Sequence, residues 1–195
     1  ELAAASLVRE DGQAISGTVS VALTPIDPSA DIGQMPGLMV DAASGTPIES
    51  LGALSIEFTD GSGAPLNLAS GQTATIRIPA TPAAGATLPA TFPLYHLNET
   101  TGRWTQEGTA TLQTDPVTGA KYYEGTVTHF STWNADRVME RAGLNVNATV
   151  AGGSCVVPAG LRVGSRGVDY NGETALIEGG NLVARASSRV EVLLV

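Results

Sequence analysis

Residues 91–105 read Thr91-Phe92-Pro93-Leu94-Tyr95-His96-Leu97-Asn98-Glu99-Thr100-Thr101-Gly102-Arg103-Trp104-Thr105. An apolar and aromatic run over 91–97 meets a polar stretch, 98–102, that ends in glycine, and Arg103-Trp104-Thr105 then carries the chain back. Run, turn and return are the signature of a β-hairpin.

The same grammar extends in both directions. Upstream, Val19, Val21 and Leu23 alternate with Thr18, Ser20 and Ala22, and Pro25 and Pro28 close the run, which predicts a half-buried strand. Leu54, Ile56 and Phe58 repeat the period and lead into the turn Asp60-Gly61-Ser62-Gly63. Ala74, Ile76 and Ile78 do so again before Pro79, and a Pro/Ala-rich loop fills 79–89. Downstream, 109–114 and 122–130 read as a second hairpin across Asp115-Pro116-Val117-Thr118-Gly119. Strands about every ten residues predict an all-β chain built around an antiparallel β-sandwich over 1–136.

Residues 134–143 carry the strongest helical pattern, with Asn134 as cap, Val138 and Met139 on one side and Gly143 as stop, and 137–144 are expected to link two units. Beyond them, short strand-like runs recur at 145–150, 155–157, 161–165, 174–178, 181–186 and 189–195. These predict a second, smaller β-sandwich over 145–195. So few residues cannot bury a large core, so this unit is expected to be incomplete or completed by another chain.

Composition narrows the function classes. The chain has 195 residues with 23 Gly and 11 Pro but only 15% charged residues, which suits short strands and many turns. Acidic residues outnumber basic ones by 19 to 10, and the basic ones are scattered from Arg9 to Arg189, so nucleic acid is not expected as a partner. No apolar run is long enough for a membrane span. The start at Glu1 reads as that of a trimmed mature product or an excised fragment. The single cysteine, Cys155, has no internal partner for a disulfide and is expected as a core thiol. Lys121, the one lysine, is the sole possible donor for an isopeptide crosslink.

Little in the residues points to an enzyme. There are two histidines, His96 and His129, and no Gly-x-Ser-x-Gly elbow. Asp27, Asp31, Asp41 and Asp60 lie in loops without the spacing of a calcium site and read as turn caps. Zinc lacks the Cys and His it ordinarily uses, so neither metal nor cofactor is expected. Trp104, Trp133, Tyr95, Tyr122 and Tyr123 read as core rather than as a sugar-stacking platform.

Several stretches carry a resemblance: Leu23-Thr24-Pro25-Ile26-Asp27-Pro28, Met35-Pro36-Gly37, Gly52-Ala53-Leu54, Asp60-Gly61-Ser62-Gly63, Gly71-Gln72, Trp104-Thr105-Gln106-Glu107-Gly108 and His129-Phe130-Ser131-Thr132-Trp133-Asn134-Ala135-Asp136. In that order they resemble the extracellular β-sandwich of cartilage intermediate layer protein and its bacterial surface-protein relatives. More distantly, they are similar to the zona-occludens/uncoordinated-type sandwich of netrin receptors and ankyrins. Cys155-Val156-Val157, Arg162-Val163 and Gly167-Val168-Asp169-Tyr170-Asn171-Gly172 resemble the start of a carboxypeptidase-regulatory-like, transthyretin-type sandwich. That pattern usually continues with more strands, whereas this sequence stops at Val195. The resemblance implies a spacer, adhesion or assembly module. Asn98-Glu99-Thr100 and Asn147-Ala148-Thr149 match glycosylation acceptors, a match that would be accidental more often than used were the chain bacterial.

The resemblance also singles out His129-Phe130-Ser131, because some relatives cut their own backbone at this triplet. Ser131 Oγ would attack the Phe130 carbonyl carbon in an N-to-O acyl shift, with His129 as base and turn strain lowering the barrier. The plainer expectation is a strand with Phe130 in the core and Trp133 as an anchor.

Three functions therefore stand at this level. One is a non-catalytic structural or adhesive module of an extracellular or cell-surface protein, with flanking domains or copies of itself as partners. Another is a filament subunit assembled by strand donation, with Leu2 and Leu7 at one end and Val190, Val192 and Leu194 at the other as donor residues. The last is an autoproteolytic module cut between Phe130 and Ser131.

Overall fold

The computed structural model describes residues 1–82 and 87–139, together with strand segments at 141–146, 162–166, 171–175, 180–185 and 191–194. Along the first part run β1 (Leu7–Arg9), β2 (Val19–Ile26), a 3-10 turn (Ile32–Gln34), β3 (Ile48–Asp60), β4 (Pro65–Leu68), β5 (Ala74–Pro79), β6 (Thr91–Asn98), β7 (Arg103–Thr114), β8 (Lys121–Val127) and β9 (Thr132–Val138). Then come β10 (Arg141–Val146), β11 (Arg162–Arg166), β12 (Asn171–Ala175), β13 (Gly180–Arg185) and β14 (Glu191–Leu194). The all-β class read from turn spacing is the class observed.

The hairpin of residues 91–105 forms as its turn chemistry requires. Asn98 Oδ1 accepts the N–H groups of Thr100 and Thr101 at 3.1 and 3.0 Å, the Gly102 N–H returns to the Asn98 carbonyl at 2.8 Å, and Leu97 faces Trp104 across the ladder. The returning strand is longer than expected, because β7 runs unbroken from Arg103 to Thr114 and absorbs the predicted strand 109–114. Its partner β8 stops at Val127, short of the predicted Phe130.

β1 to β9 join one continuous antiparallel sheet in the order β1-β4-β3-β9-β6-β7-β8-β5, with β2 added on β3. The sheet curls until β5 returns to β3. There Gly52, at φ 145°, sits so close to the end of β5 that a Cβ on it would lie 2.1 Å from the Pro79 carbonyl oxygen, and the Thr81 N–H donates to the Leu51 carbonyl at 2.7 Å. The concave side holds the main core, with Trp133, Tyr123, Phe92, Leu94, Ile78 and Val127 fully buried.

The convex side is covered as well. Ile32, Met35 and Met39, from the long β2–β3 connection, pack with Ile48, Tyr95 and Trp104 into a second cluster. This connection is stitched down by hydrogen bonds from the Leu38 N–H to the Gly102 carbonyl and from the Trp104 N–H to the Val40 carbonyl. Residues 48–54 are consequently buried on both faces, so alternation vanishes where the sheet is thickest.

Two expectations fail here. No helix is found among the described residues of 134–143: β9 runs through Val138, pairing with Ile48–Ser55 of β3, and β10 starts at Arg141. Local helix signals lose to a ladder that satisfies every second backbone group while burying Trp133 and Ala135. β2 is not half-buried; it is an edge strand with Val21 and Leu23 at 52% and 57% exposure.

In the C-terminal part, β10 pairs with β13 from Arg141↔Arg185 to Val146↔Gly180, and β11 lies between β12 and β14. Cys155 and the predicted strand 155–157 lie outside the described residues.

Candidate functional site

The turn between β8 and β9 carries His129-Phe130-Ser131, and the fold sends its three side chains in different directions. The His129 ring lies beside His96 of β6 and Glu107 of β7. His96 Nε2 is 3.6 Å from Glu107 Oε2, His129 Nδ1 is 4.0 Å from the same oxygen, and the two imidazoles meet edge to face at 4.5 Å between centroids. Trp133 packs against both rings, at 5.4 and 5.1 Å, and its indole N–H donates to the His129 carbonyl at 3.1 Å. Thr128 Oγ1 donates to Glu107 Oε1 at 2.6 Å, which holds the carboxylate with its other oxygen toward the histidines. Burial pushes the His129 imidazole below its ordinary value, His96 adds to the effect and Glu107 opposes it.

Phe130 turns instead toward the core, its ring 4.5 Å from that of Phe58. Its backbone is bracketed by one side chain of β4: Asn67 Oδ1 accepts the Phe130 N–H at 2.7 Å and Asn67 Nδ2 donates to the Phe130 carbonyl at 3.4 Å. Ser131 Oγ donates to the Leu97 carbonyl at 3.1 Å. The predicted catalytic trio is thus gathered in one turn, but His129 is engaged with Glu107 and His96 while Ser131 is engaged with β6.

The grouping of His96, Glu107 and His129 was not legible from spacing. The three are far apart in sequence and meet only because β6 and β7 pair and the 128–131 turn folds over their ends. The sequence reading sets zinc aside for lack of Cys and His; the fold places a carboxylate beside both histidines, a juxtaposition that spacing alone does not reveal. The loop carboxylates do act as turn caps. Asp27 accepts from the N–H and hydroxyl of Ser29, Asp41 from those of Ser44, Asp60 from those of Ser62, and Asp31 from the Gly33 N–H.

The predicted assembly residues fall in three places. Leu7 lies in β1, paired with Leu68 of β4, and packs on the main core. Val192 and Leu194 pair with Ser165 and Val163 of β11, which places them in the outer strand of that three-stranded sheet; Val190 lies outside the described residues. Leu2 forms an antiparallel bridge with Ala74 at the outer edge of β5, where the Glu1 amino group donates to the Thr75 carbonyl at 2.6 Å and the Thr75 N–H to the Glu1 carbonyl at 3.0 Å.

That bridge marks an open seam. Between the edge strands β2 and β5 runs an apolar groove of about 390 Å³, lined by Leu2, Val21, Leu23, Ile56, Phe58 and Ile76 among others. Among the described residues no helix is long and apolar enough to cross a membrane. Compared with known proteins, the chain matches no family model, no curated protein and no solved structure.

Proposed function

We propose that this chain is a structural module of an extracellular or cell-surface protein, and that it joins its neighbours by accepting a β-strand at the seam between β2 and β5. The observation that carries this reading is the seam itself. A short N-terminal segment already pairs with β5 there, while Val21 and Leu23 stay more than half exposed beside it. An edge strand with a row of exposed apolar side chains is a template for strand addition, with backbone pairing providing direction and the groove receiving alternate side chains.

The donor is the N-terminal segment of another copy. It reaches β5 within its own chain through Ala5, the one non-glycine residue at positive φ (57°) among those described. The left-handed conformation costs an alanine about 1–2 kcal/mol, which release of Glu1 and Leu2 would return. The resemblance of residues 1–136 to surface-protein sandwiches, read from the sequence motifs, is consistent with this reading.

The test is light scattering coupled to gel filtration over a wide range of protein concentration. The reading expects concentration-dependent association that Leu23→Lys abolishes, a change tolerated by the fold because Leu23 is exposed. A wild-type chain monomeric throughout, or a Leu23→Lys variant that associates equally well, would overturn it.

A second reading, self-cleavage between Phe130 and Ser131, is favoured by the Asn67 side chain, whose Nδ2 would polarise the carbonyl under attack. Ser131 Oγ would bond to that carbon, the C–N bond would break with the proton passing to the new amine, and water would hydrolyse the ester. Intact-mass measurement decides this. Fragments 1–130 and 131–195, absent in Ser131→Ala, support cleavage; a single full-length mass refutes it.

A further inference from the structure

We propose that His96 Nε2, His129 Nδ1 and Glu107 Oε2 bind a divalent transition-metal cation, zinc above all, clamping the 128–131 turn onto the β6–β7 hairpin. All three donor atoms lie within 4.8 Å of one another. Tetrahedral zinc with bonds of 2.0–2.2 Å sets its ligand atoms about 3.4 Å apart. The observed 3.6 Å for His96 and 4.0 Å for His129, each measured to Glu107, need only small side-chain rotations to reach that spacing.

The chemistry of the set selects the metal class. Two imidazole nitrogens and one carboxylate suit zinc and its d-block neighbours, whereas calcium and magnesium demand more oxygen ligands. The surroundings are those of a positioned site. Thr128 holds the far oxygen of Glu107, Trp133 packs both rings, and the donors come from two paired strands and the turn tied to them by the Thr128–Glu107 and Ser131–Leu97 hydrogen bonds. Side-chain exposures of 17%, 32% and 39% for His96, His129 and Glu107 leave the three donors reachable from solvent.

Nothing here depends on the seam, so Leu23→Lys should bind metal as the wild type does. The experiment is calorimetric titration of the full chain with zinc chloride, with cobalt(II) visible absorption as the geometric readout and thermal unfolding with and without zinc. One zinc per chain is expected, with a tetrahedral cobalt spectrum and a melting temperature raised by zinc and unmoved by calcium. His96→Ala and Glu107→Gln should each weaken binding at least about tenfold. Circular dichroism checks that both variants fold, and Glu107→Gln, which keeps side-chain shape, stands in if His96→Ala does not. Absence of zinc binding up to about 1 mM, far weaker than protein zinc sites, or binding undiminished in folded variants, would overturn the proposal.

Discussion

Asn67 of β4 and Phe130 of the β8–β9 turn, far apart in sequence, are joined by two hydrogen bonds from one side-chain amide, 2.7 Å to the N–H and 3.4 Å to the carbonyl. The amide works as a surrogate strand partner where β8 has ended and β9 has not begun. Asn67→Ala should lower stability by about 1 kcal/mol, the net worth of a solvent-accessible hydrogen bond or two. Urea unfolding checks this, and hydrogen exchange should rise at 128–131 while β6 stays protected.

Asp60 caps the turn after β3 and takes both Nε and Nη2 of Arg9 at 2.8 and 2.6 Å. The Ser62 hydroxyl, with the Arg9 guanidinium and the Ser62 N–H, holds its carboxyl well below the ordinary value of 3.8. A carboxylate depressed on folding contributes stability that is whole above that ordinary value and fades as pH falls toward the folded one. Asp60→Asn should therefore destabilise the chain at pH 7, and the gap between variant and wild type should close as unfolding is followed down from pH 4.

Gly52 and Gly71 are both at positive φ, 145° and 77°, but differ in surroundings. A Cβ at Gly52 meets the Pro79 carbonyl oxygen, whereas at Gly71 nothing lies within 4 Å. Gly71→Ala should cost about 1 kcal/mol from backbone conformation alone. Gly52→Ala should cost more than about 4 kcal/mol, because the curl of β5 onto β3 must open. Thermal unfolding of the two variants makes the comparison.

Ser50 Oγ donates to Asn134 Oδ1 and Asn134 Nδ2 to Asp136 Oδ2, both at 2.5 Å, in a fully buried row across β3 and β9. Asn134→Asp replaces the donor facing Asp136 with a second carboxyl group. It should cost at least about 3 kcal/mol at neutral pH, the penalty of an uncompensated buried charge. Urea unfolding at pH 5 and pH 8 should show the loss greater at pH 8.

Ala5→Gly removes the left-handed strain at the bend between Leu2 and Leu7, and should stabilise the chain by about 0.5–1 kcal/mol after the added chain entropy is counted. Under the strand-exchange reading it should also shift association to higher protein concentration, which light scattering would register.

Local chemistry alone determined the all-β class, most strands and the turns. Asn98–Gly102 and Asp60–Gly63 dictate reversals through side-chain and glycine geometry that needs no distant partner, and the loop aspartates announce themselves as caps by the same logic. Tertiary structure decided what those signals cannot carry. Residues 134–143 have a helical pattern, yet β3 and β6 offer Thr132–Val138 a place between two strands, and a ladder with a buried tryptophan outweighs local propensity. Val21 and Leu23 alternate as core residues do, but the sheet curls so that β5 closes on β3 near Gly52 and leaves β2 at an open seam. Burial depends on what the other face meets, and period two says only that there are two faces. His96, Glu107 and His129 meet for the same reason: strand pairing converts register into proximity, and register is a property of the assembled sheet.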